Sequence, residues 1–356
     1  MKRKNSIAIK KVKKNKLLFK DNKILNYYKQ FKSLVLKDIK KQSFALAVSG
    51  GADSLCLAYF SKVYASEFGN KIHVLIVDHG IRKESYKEAL NVKKILNKKT
   101  ILSKILKWRG EIPVKNIQKK ARDIRYSLIS NYCVKKNIKY VVTAHHGDDQ
   151  IENFFIRLIR GSGLTGLSSM STKTNYSNKL KIIRPFLNLK KLELEYVTLN
   201  YFKTYINDPS NIDEKFLRAR IRKYRKHMES EGLDTRKIIR TVENLVSANK
   251  ALNHYKEKAI HKHALFTSKN KCLINKKIFS EEAGEIIFKS FSDILSLISN
   301  TYYPPRSKKI VNLIKRVKKL KFTKSTLGGC VIEDKDNFIL ISKEAKVKKI
   351  SYHVKK

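Results

Sequence analysis

Between residues 43 and 146 short apolar runs alternate with longer segments of helical character, and this alternation limits the fold more than any other feature. The runs are SFALAVS (43–49), KIHVLIVDH (71–79), TILSKIL (100–106) and KYVVTAHH (139–146). Between them lie helix-like segments of a dozen or more residues, over 54–68, 84–97 and 116–136. β-branched side chains crowd a helix and pack well on a pleated surface. Parallel strands need a crossover, usually a helix. The order strand, helix, strand, helix therefore predicts an α/β fold with a doubly wound parallel sheet. Such sheets bind ligands at the carboxyl ends of their strands. Three of the runs end there in polar sets: Ser49-Gly50-Gly51, Asp78-His79-Gly80 and His145-His146.

The string Ser49-Gly50-Gly51-Ala52-Asp53-Ser54 follows the first strand and opens the first helix. Glycines let the backbone approach a phosphate, and the amides of the following helix, with the serine hydroxyls, hold the anion. The string is neither GxxxxGK[ST] nor GxGxxG. A second cluster opens a helix near Asp148. There Ile151, Phe154, Phe155, Leu158 and Ile159 form one apolar stripe, and Asp148, Asp149 and Glu152 gather at the N-terminal end. Acids at a helix N-terminus compensate its dipole; the alternative is that these three hold Mg²⁺ or the ammonium groups of a substrate. His145 and His146, adjacent at a strand end, point opposite ways and are not expected to share a metal.

Charge narrows the class of partner. Lys and Arg number 79 against 30 Asp and Glu, a formal net charge of +49. That excludes an acidic or neutral enzyme of small metabolites as the default and favours a polyanion, nucleic acid above all. Nine of the 16 Arg fall between 122 and 225, and a guanidinium fork suits phosphate better than an ammonium does. The four cysteines, Cys56, Cys133, Cys272 and Cys330, form no CxxC pair. This spacing argues against a zinc ribbon or a disulfide scaffold and fits a reducing cytoplasm. No apolar run approaches the roughly 18–20 residues that span a bilayer, so no membrane partner is expected.

Four regions are expected along the chain. Residues 1–40, with 14 Lys and Arg against Asp21 and Asp38, read as a basic N-terminal extension whose tip leads into an amphipathic helix. Residues 41–230 hold the catalytic domain, 231–269 a helical connector, and 270–356 a smaller α+β domain. The last has helices near 284–298 and 306–320 and a hairpin of CVIE (330–333) and FILIS (338–342) around DKDN.

The six-residue string resembles the pyrophosphate loop of the N-type ATP pyrophosphatases, the PP-loop superfamily, whose sheet is Rossmann-like. Further motifs resemble the tRNA(Ile)-lysidine synthase family within it. They are Asp78-His79-Gly80-Ile81-Arg82, Ala121-Arg122-Asp123-Ile124-Arg125-Tyr126, and His145-His146-Gly147-Asp148-Asp149-Gln150-Ile151-Glu152-Asn153, which runs on to Arg160-Gly161-Ser162-Gly163. Arg184-Pro185, Asp208-Pro209-Ser210-Asn211 and Leu217-Arg218-Ala219-Arg220-Ile221-Arg222 follow. The resemblance spans about 43–225 and touches Thr326-Leu327-Gly328-Gly329-Cys330. It departs at Ala219, where the family usually carries Asn.

The resemblance implies ATP and Mg²⁺ as cofactors, with free L-lysine and a tRNA(Ile) bearing a CAU anticodon as partners. The wobble cytidine is adenylated and lysine then displaces AMP. Ser49, Gly50, Gly51, Ala52, Asp53, Ser54, Asp78 and His79 are the implied ATP-binding residues. Asp53, Asp149, Arg218 and Arg222 are the catalytic candidates, and Asp148, Asp149 and Glu152 would hold lysine or Mg²⁺. Arg122, Arg125, Arg160 and Arg220 are the expected tRNA contacts, with the C-terminal domain selecting the tRNA. Alternatives are a 2-thiolation enzyme of the same superfamily and a basic RNA-binding protein without catalysis. Oligomeric state is left open between monomer and homodimer.

Overall fold

The computed structural model describes residues 19, 21–81, 84–110, 117–168, 170–177, 180–207, 214–215, 217–233, 235–301, 304–319 and 322–345. The motif residues Arg82 and Asp208-Pro209-Ser210-Asn211, and residues 1–18 of the basic extension, lie outside them. The chain divides into two compact units, Met1–Glu243 and Asn244–Lys356.

The first unit is built on a six-stranded sheet, ordered β3-β2-β1-β4-β6-β5. Its strands are β1 (Phe44–Ala47), β2 (Ile72–Asp78), β3 (Ser103–Lys107), β4 (Tyr140–Val142), β5 (Lys173–Ser177) and β6 (Leu180–Ile183). All neighbours pair in parallel except β5, which runs antiparallel to β6 at the edge. The crossovers of the first four strands are α2 (Ala52–Phe68), α3 (Ser85–Asn97) and α4 (Ile117–Lys135). Phe44, Ala45 and Leu46 of central β1 are fully buried, as a strand covered on both faces requires. The chain winds from β1 outward to β3, then returns to place β4 on the other side of β1. The crevice at the ends of β1 and β4 is thus a topological switch point. The third strand begins three residues later than its apolar run. β5 escapes the sequence reading because KTNYS is polar and alternating, as a half-wet edge allows, and β6 because LKII is only four residues long and is interrupted by Lys181.

Residues 22–38 are not an appendage. Helix α1 (Asn22–Asp38) is capped by Asp21, whose carboxylate accepts from the Lys23 and Ile24 amides. It buries Tyr28, Phe31 and Val35 completely in the main core. Phe31 meets the rings of Phe60, Tyr64 and Phe186 at 5.6–6.3 Å. On the other side of α2, helix α7 (Lys191–Phe202) buries Leu194, Val197 and Phe202, and its Thr198 hydroxyl donates to the Ala52 carbonyl at 2.7 Å. Between them, helix α5 (Gly147–Ile159) and the short α6 (Leu164–Leu167) follow β4. Only Ile151 of the expected α5 stripe is fully buried, while Leu158 and Ile159 are exposed. The region read as helical over 213–266 contains α8 (Leu217–Ser230) and α9 (Thr235–His263), separated by a turn in which Gly232 takes φ +87°.

The unit boundary falls inside α9, not at residues 269–270. The second unit carries a five-stranded antiparallel sheet ordered β7-β8-β11-β10-β9. Its strands are β7 (Ala264–Ser268), β8 (Lys271–Asn275), β9 (Lys324–Leu327), β10 (Cys330–Lys335) and β11 (Phe338–Lys343). Helices α10 (Ile278–Glu281), α11 (Gly284–Ser299) and α12 (Ser307–Val317) complete it. Phe291, Ile294 and Leu295 of α11 share a core with Cys272, Cys330 and Ile341 of the sheet. The expected hairpin forms, Lys335 opposite Phe338, with Asp336 at φ +51° in a two-residue turn. Among the described residues no helix is long and apolar enough to cross a membrane.

Candidate active site

β1 runs into α2 through the loop at 48–51. Gly50 sits at φ +92°, where a Cβ would lie 2.5 Å from Cγ2 of Val92, so only glycine fits. The Ser54 hydroxyl ties the loop together. It accepts from the amides of Ser49 (3.1 Å) and Gly50 (3.0 Å) and donates to the Gly51 carbonyl (2.9 Å). From outside, the Ile206 amide donates to the Gly50 carbonyl at 2.9 Å. Ser54 is thereby buried as an internal brace. The exposed Ser49 hydroxyl reaches the Ser54 hydroxyl at 3.4 Å, and the first-turn amides of a helix such as α2 have no partner within the helix, the arrangement that suits an anion.

A cavity of about 340 Å³ opens over this loop. Ser49, Gly51, Asp53 and Ser54 line it from the loop, and His79, Ser85 and Glu88 from β2 and α3. Helix α4 contributes Arg122, Arg125 and Tyr126, whose i, i+3, i+4 spacing places them on one face. Arg122 stacks over the Tyr126 ring at 5.1 Å. Thr143, His145, Asp149 and Arg218 line it from the β4 end and α8.

The charges around this cavity are coupled. His146 caps α5, its Nδ1 3.4 Å from the Asp149 amide. Its Nε2 lies 3.5 Å from Asp53 and 3.4 Å from Asp149, and Nδ1 3.6 Å from Asp148. Burial opposes a charge on this ring, but the three carboxylates outweigh it and raise its pKa. Burial would push Asp149 up; His146 and Arg218 outweigh it and hold Asp149 below its ordinary value. His145 goes the other way. Burial, helped by Arg184, Arg122 and Arg218 and opposed by Asp149, lowers it to about 3, so it is neutral at physiological pH. Its Nδ1 pairs with the Thr143 hydroxyl at 2.9 Å.

The structure separates the predicted residues into those that face the cavity and those that support it. Asp53, Asp149, Arg218, Ser49, Gly51, Ser54 and His79 face it. Asp78 does not: its Oδ1 accepts from the Gly80 amide and the Ser85 hydroxyl, closing the turn after β2. Ala52 is buried under Thr198. Asp148 and Glu152, read as lysine or Mg²⁺ ligands, are engaged elsewhere. Asp148 accepts from the Lys191 amide (2.7 Å) and from Arg225 (2.6 Å). Glu152, 2% exposed, is held by Arg222 and lies 3.0 Å from Arg218 Nε. Arg222, expected among the catalytic residues, is engaged with Glu152 and is not among the residues lining the cavity. Of the expected tRNA contacts, Arg122 and Arg125 line the cavity, while Arg160 is exposed after α5 and Arg220 is exposed on α8.

Sequence reasoning did not single out Glu88, Tyr126 and Thr143 as residues lining the cavity. Tyr126 carries a signal, its helical spacing from Arg122; Glu88 carries none. It also missed the Gln150 amide, which exchanges two 2.9 Å hydrogen bonds with the Met170 backbone.

A parallel sheet whose switch point carries this braced Gly-Gly loop defines a PP-loop domain, and residues 23–226 match the PP-loop domain family ATP_bind_3. The chain is 34% identical over 311 residues to the tRNA(Ile)-lysidine synthase of Orientia tsutsugamushi (strain Boryong), covering 84% of this chain and 69% of the relative. It is 34% identical over 319 residues to that of Wolbachia pipientis wMel, covering 87% and 73%. The chain belongs to the tRNA(Ile)-lysidine synthase family of PP-loop enzymes. Its fold is also similar to the U34-tRNA thiolase NcsA of Methanococcus maripaludis, with TM-score 0.55 and 19% identity over 63% of this chain and 79% of that one.

Proposed function

We propose that the chain ligates free L-lysine to C2 of the wobble cytidine in the CAU anticodon of a tRNA(Ile), with ATP split to AMP and pyrophosphate. The observation that carries this reading is the convergence, on one cavity, of the loop of residues 49–54, three carboxylates (Asp53, Glu88 and Asp149) and three arginines. In the first step the cytidine O2 attacks the α-phosphorus, and pyrophosphate leaves. In the second the neutral ε-amine adds at C2, the O2–C2 bond breaks, AMP departs with that oxygen, and the amine loses its proton.

Each group has a physical task. Ser49 and the α2 amides bind the phosphate chain. Arg122, Arg125 and Arg218 stabilise the charge that develops on the transferred phosphoryl and on the leaving pyrophosphate. Asp149, held ionised by its neighbours, suits the role of counter-ion for the lysine amine. Asp53 fits a hard cation, because its Oδ1 is buried without a hydrogen-bond partner while its other oxygen faces His146. Mg²⁺ bound there would neutralise phosphate charge. The basic surface, including Arg160, Arg220 and the Lys-rich second unit, supplies attraction for the tRNA backbone, and unstacked anticodon bases are accessible to protein.

Sulfur transfer is disfavoured. Cys56 and Cys133 are buried and neither lines the cavity. Burial raises the Cys133 thiol to about 12 and Cys56 well above its ordinary value, the opposite of a reactive thiolate. The test is incorporation of ¹⁴C-lysine into unmodified tRNA(Ile) with a CAU anticodon, with and without ATP, against the methionine tRNA of the same anticodon. ATP-dependent labelling of the first alone is expected. Absence of labelling, with pyrophosphate released on another acceptor, would overturn the substrate assignment.

A further inference from the structure

The arginines at and behind the cavity are held in two different ways. On α8, Arg222 gives Nε and Nη2 to Glu152, Arg225 gives Nε to Glu229 and Nη1 to Asp148, and Arg218 Nε lies 3.0 Å from Glu152. Each such bond occupies a donor and offsets part of the positive charge. Arg122 of α4 differs. It lines the cavity, and among the described residues no carboxylate pairs with it. What it meets is the ring of Tyr126, one turn further along the helix, with the guanidinium carbon 5.1 Å from the ring centroid.

Tyr126 is suited to hold this cation. A ring face attracts a guanidinium through its quadrupole and takes up no N–H group in doing so. The ring is itself fixed. Tyr126 is 9% exposed, and Tyr176 of the edge strand β5 stacks with it at 5.4 Å and 24°. An exposed arginine is otherwise spread over many rotamers, and ordering it when a ligand binds costs conformational entropy. Stacking removes part of that cost before the ligand arrives.

We propose that Tyr126 is a positioning residue for the anion site. Its ring face holds the Arg122 guanidinium at the cavity and leaves the N–H groups for an anion of the pyrophosphate class. The inference rests on the reading that this cavity takes the phosphates of ATP. It does not depend on lysine or tRNA being the other substrates.

Titration calorimetry of the full chain with inorganic pyrophosphate, at constant Mg²⁺ and low salt, tests this. The variants are Arg122→Gln, Tyr126→Leu, Tyr126→Phe, and Arg122→Gln combined with Tyr126→Leu. Tyr126→Leu is expected to raise Kd about three- to fivefold, the size of an exposed cation–π contact. Tyr126→Phe keeps the ring face and should bring Kd back to within about 1.5-fold of the parent. In the Arg122→Gln background, Tyr126→Leu should change nothing further. An equal loss in that background would make the ring a structural support of α4 and overturn the proposal. So would an equal loss in Tyr126→Phe, or pyrophosphate binding that is absent or indifferent to Arg122→Gln. The expected pattern in a chain that transfers no lysine would support this inference and remove the reaction proposed above.

Discussion

Arg222 donates to both oxygens of Glu152, from Nε to Oε1 at 2.5 Å and from Nη2 to Oε2 at 3.2 Å, across 70 residues of sequence. This pair joins α8 to α5 behind the cavity. Glu152 is almost fully buried, so loss of that partner would leave its oxygens short of hydrogen bonds. Arg222→Met is predicted to destabilise the first unit by about 2–3 kcal/mol, lowering Tm by roughly 5–10 °C. Thermal unfolding of the purified variant checks this. A Tm within a degree of the parent would show that Arg218 alone satisfies the carboxylate.

Asp53 faces the cavity with an unpaired buried oxygen. Asp53→Asn keeps its shape and removes its charge. Adenylation should fall at least about 100-fold, while the unfolding temperature stays close to the parent's. ATP/pyrophosphate exchange measures the first and calorimetry the second. Undiminished exchange would remove Asp53 from the phosphate-binding machinery.

Gly50→Ala places a Cβ at φ +92° and against Val92. The loop must shift, at a strain of about 1–3 kcal/mol. The expected readout is a raised KM for ATP. Val92→Ala in the same chain should recover part of it by removing the clash but not the φ strain. Full recovery would mean that the backbone conformation is not the constraint.

His145 is neutral in the folded protein, its pKa lowered to about 3, chiefly by burial, whereas an unfolded histidine titrates near 6.5. Below pH 6.5 the unfolded chain therefore binds a proton that the native state refuses. Its contribution to stability is full above about pH 6.5 and declines as pH falls toward 3. His145→Gln should flatten the stability–pH curve between 6.5 and 4, as measured by urea titration. A parallel curve would mean that the ring is protonated in the native state.

Phe31→Ala removes a fully buried ring from the aromatic cluster formed with Phe60, Tyr64 and Phe186. A loss of about 3–5 kcal/mol is expected, with cooperative unfolding of the whole first unit at a lower denaturant midpoint. Unfolding of α1 alone, with the sheet intact, would instead make residues 22–38 a separate element.

How far the sequence could be read differs by element. β1, β2 and β4 are legible because buried parallel strands must be apolar throughout, and their polar ends locate the cavity. The hairpin of β10 and β11 is legible from alternation around a polar turn. β5 is not, since an edge strand tolerates the composition of a loop, and β6, inside the sheet between β4 and β5, is a four-residue run interrupted by Lys181. Helix α1 hides behind its lysines: its buried row of Tyr28, Phe31 and Val35 repeats at helical spacing, but a charge of +12 over residues 1–40 reads as an appendage.

By itself, the sequence determined the parallel α/β architecture, the loop of residues 49–54 and the set of charged residues available to the site, because local periodicity and glycine placement are properties of neighbours in the chain. Only the tertiary structure decided which of those charges face the cavity. Asp148, Asp149 and Glu152 lie within five residues of one another, yet Arg225 takes the first, Arg222 the third, and the second is left to line the site beside His146. That division depends on how α8 packs against α5, and a pairing between residues 70 or more apart leaves no trace in local spacing.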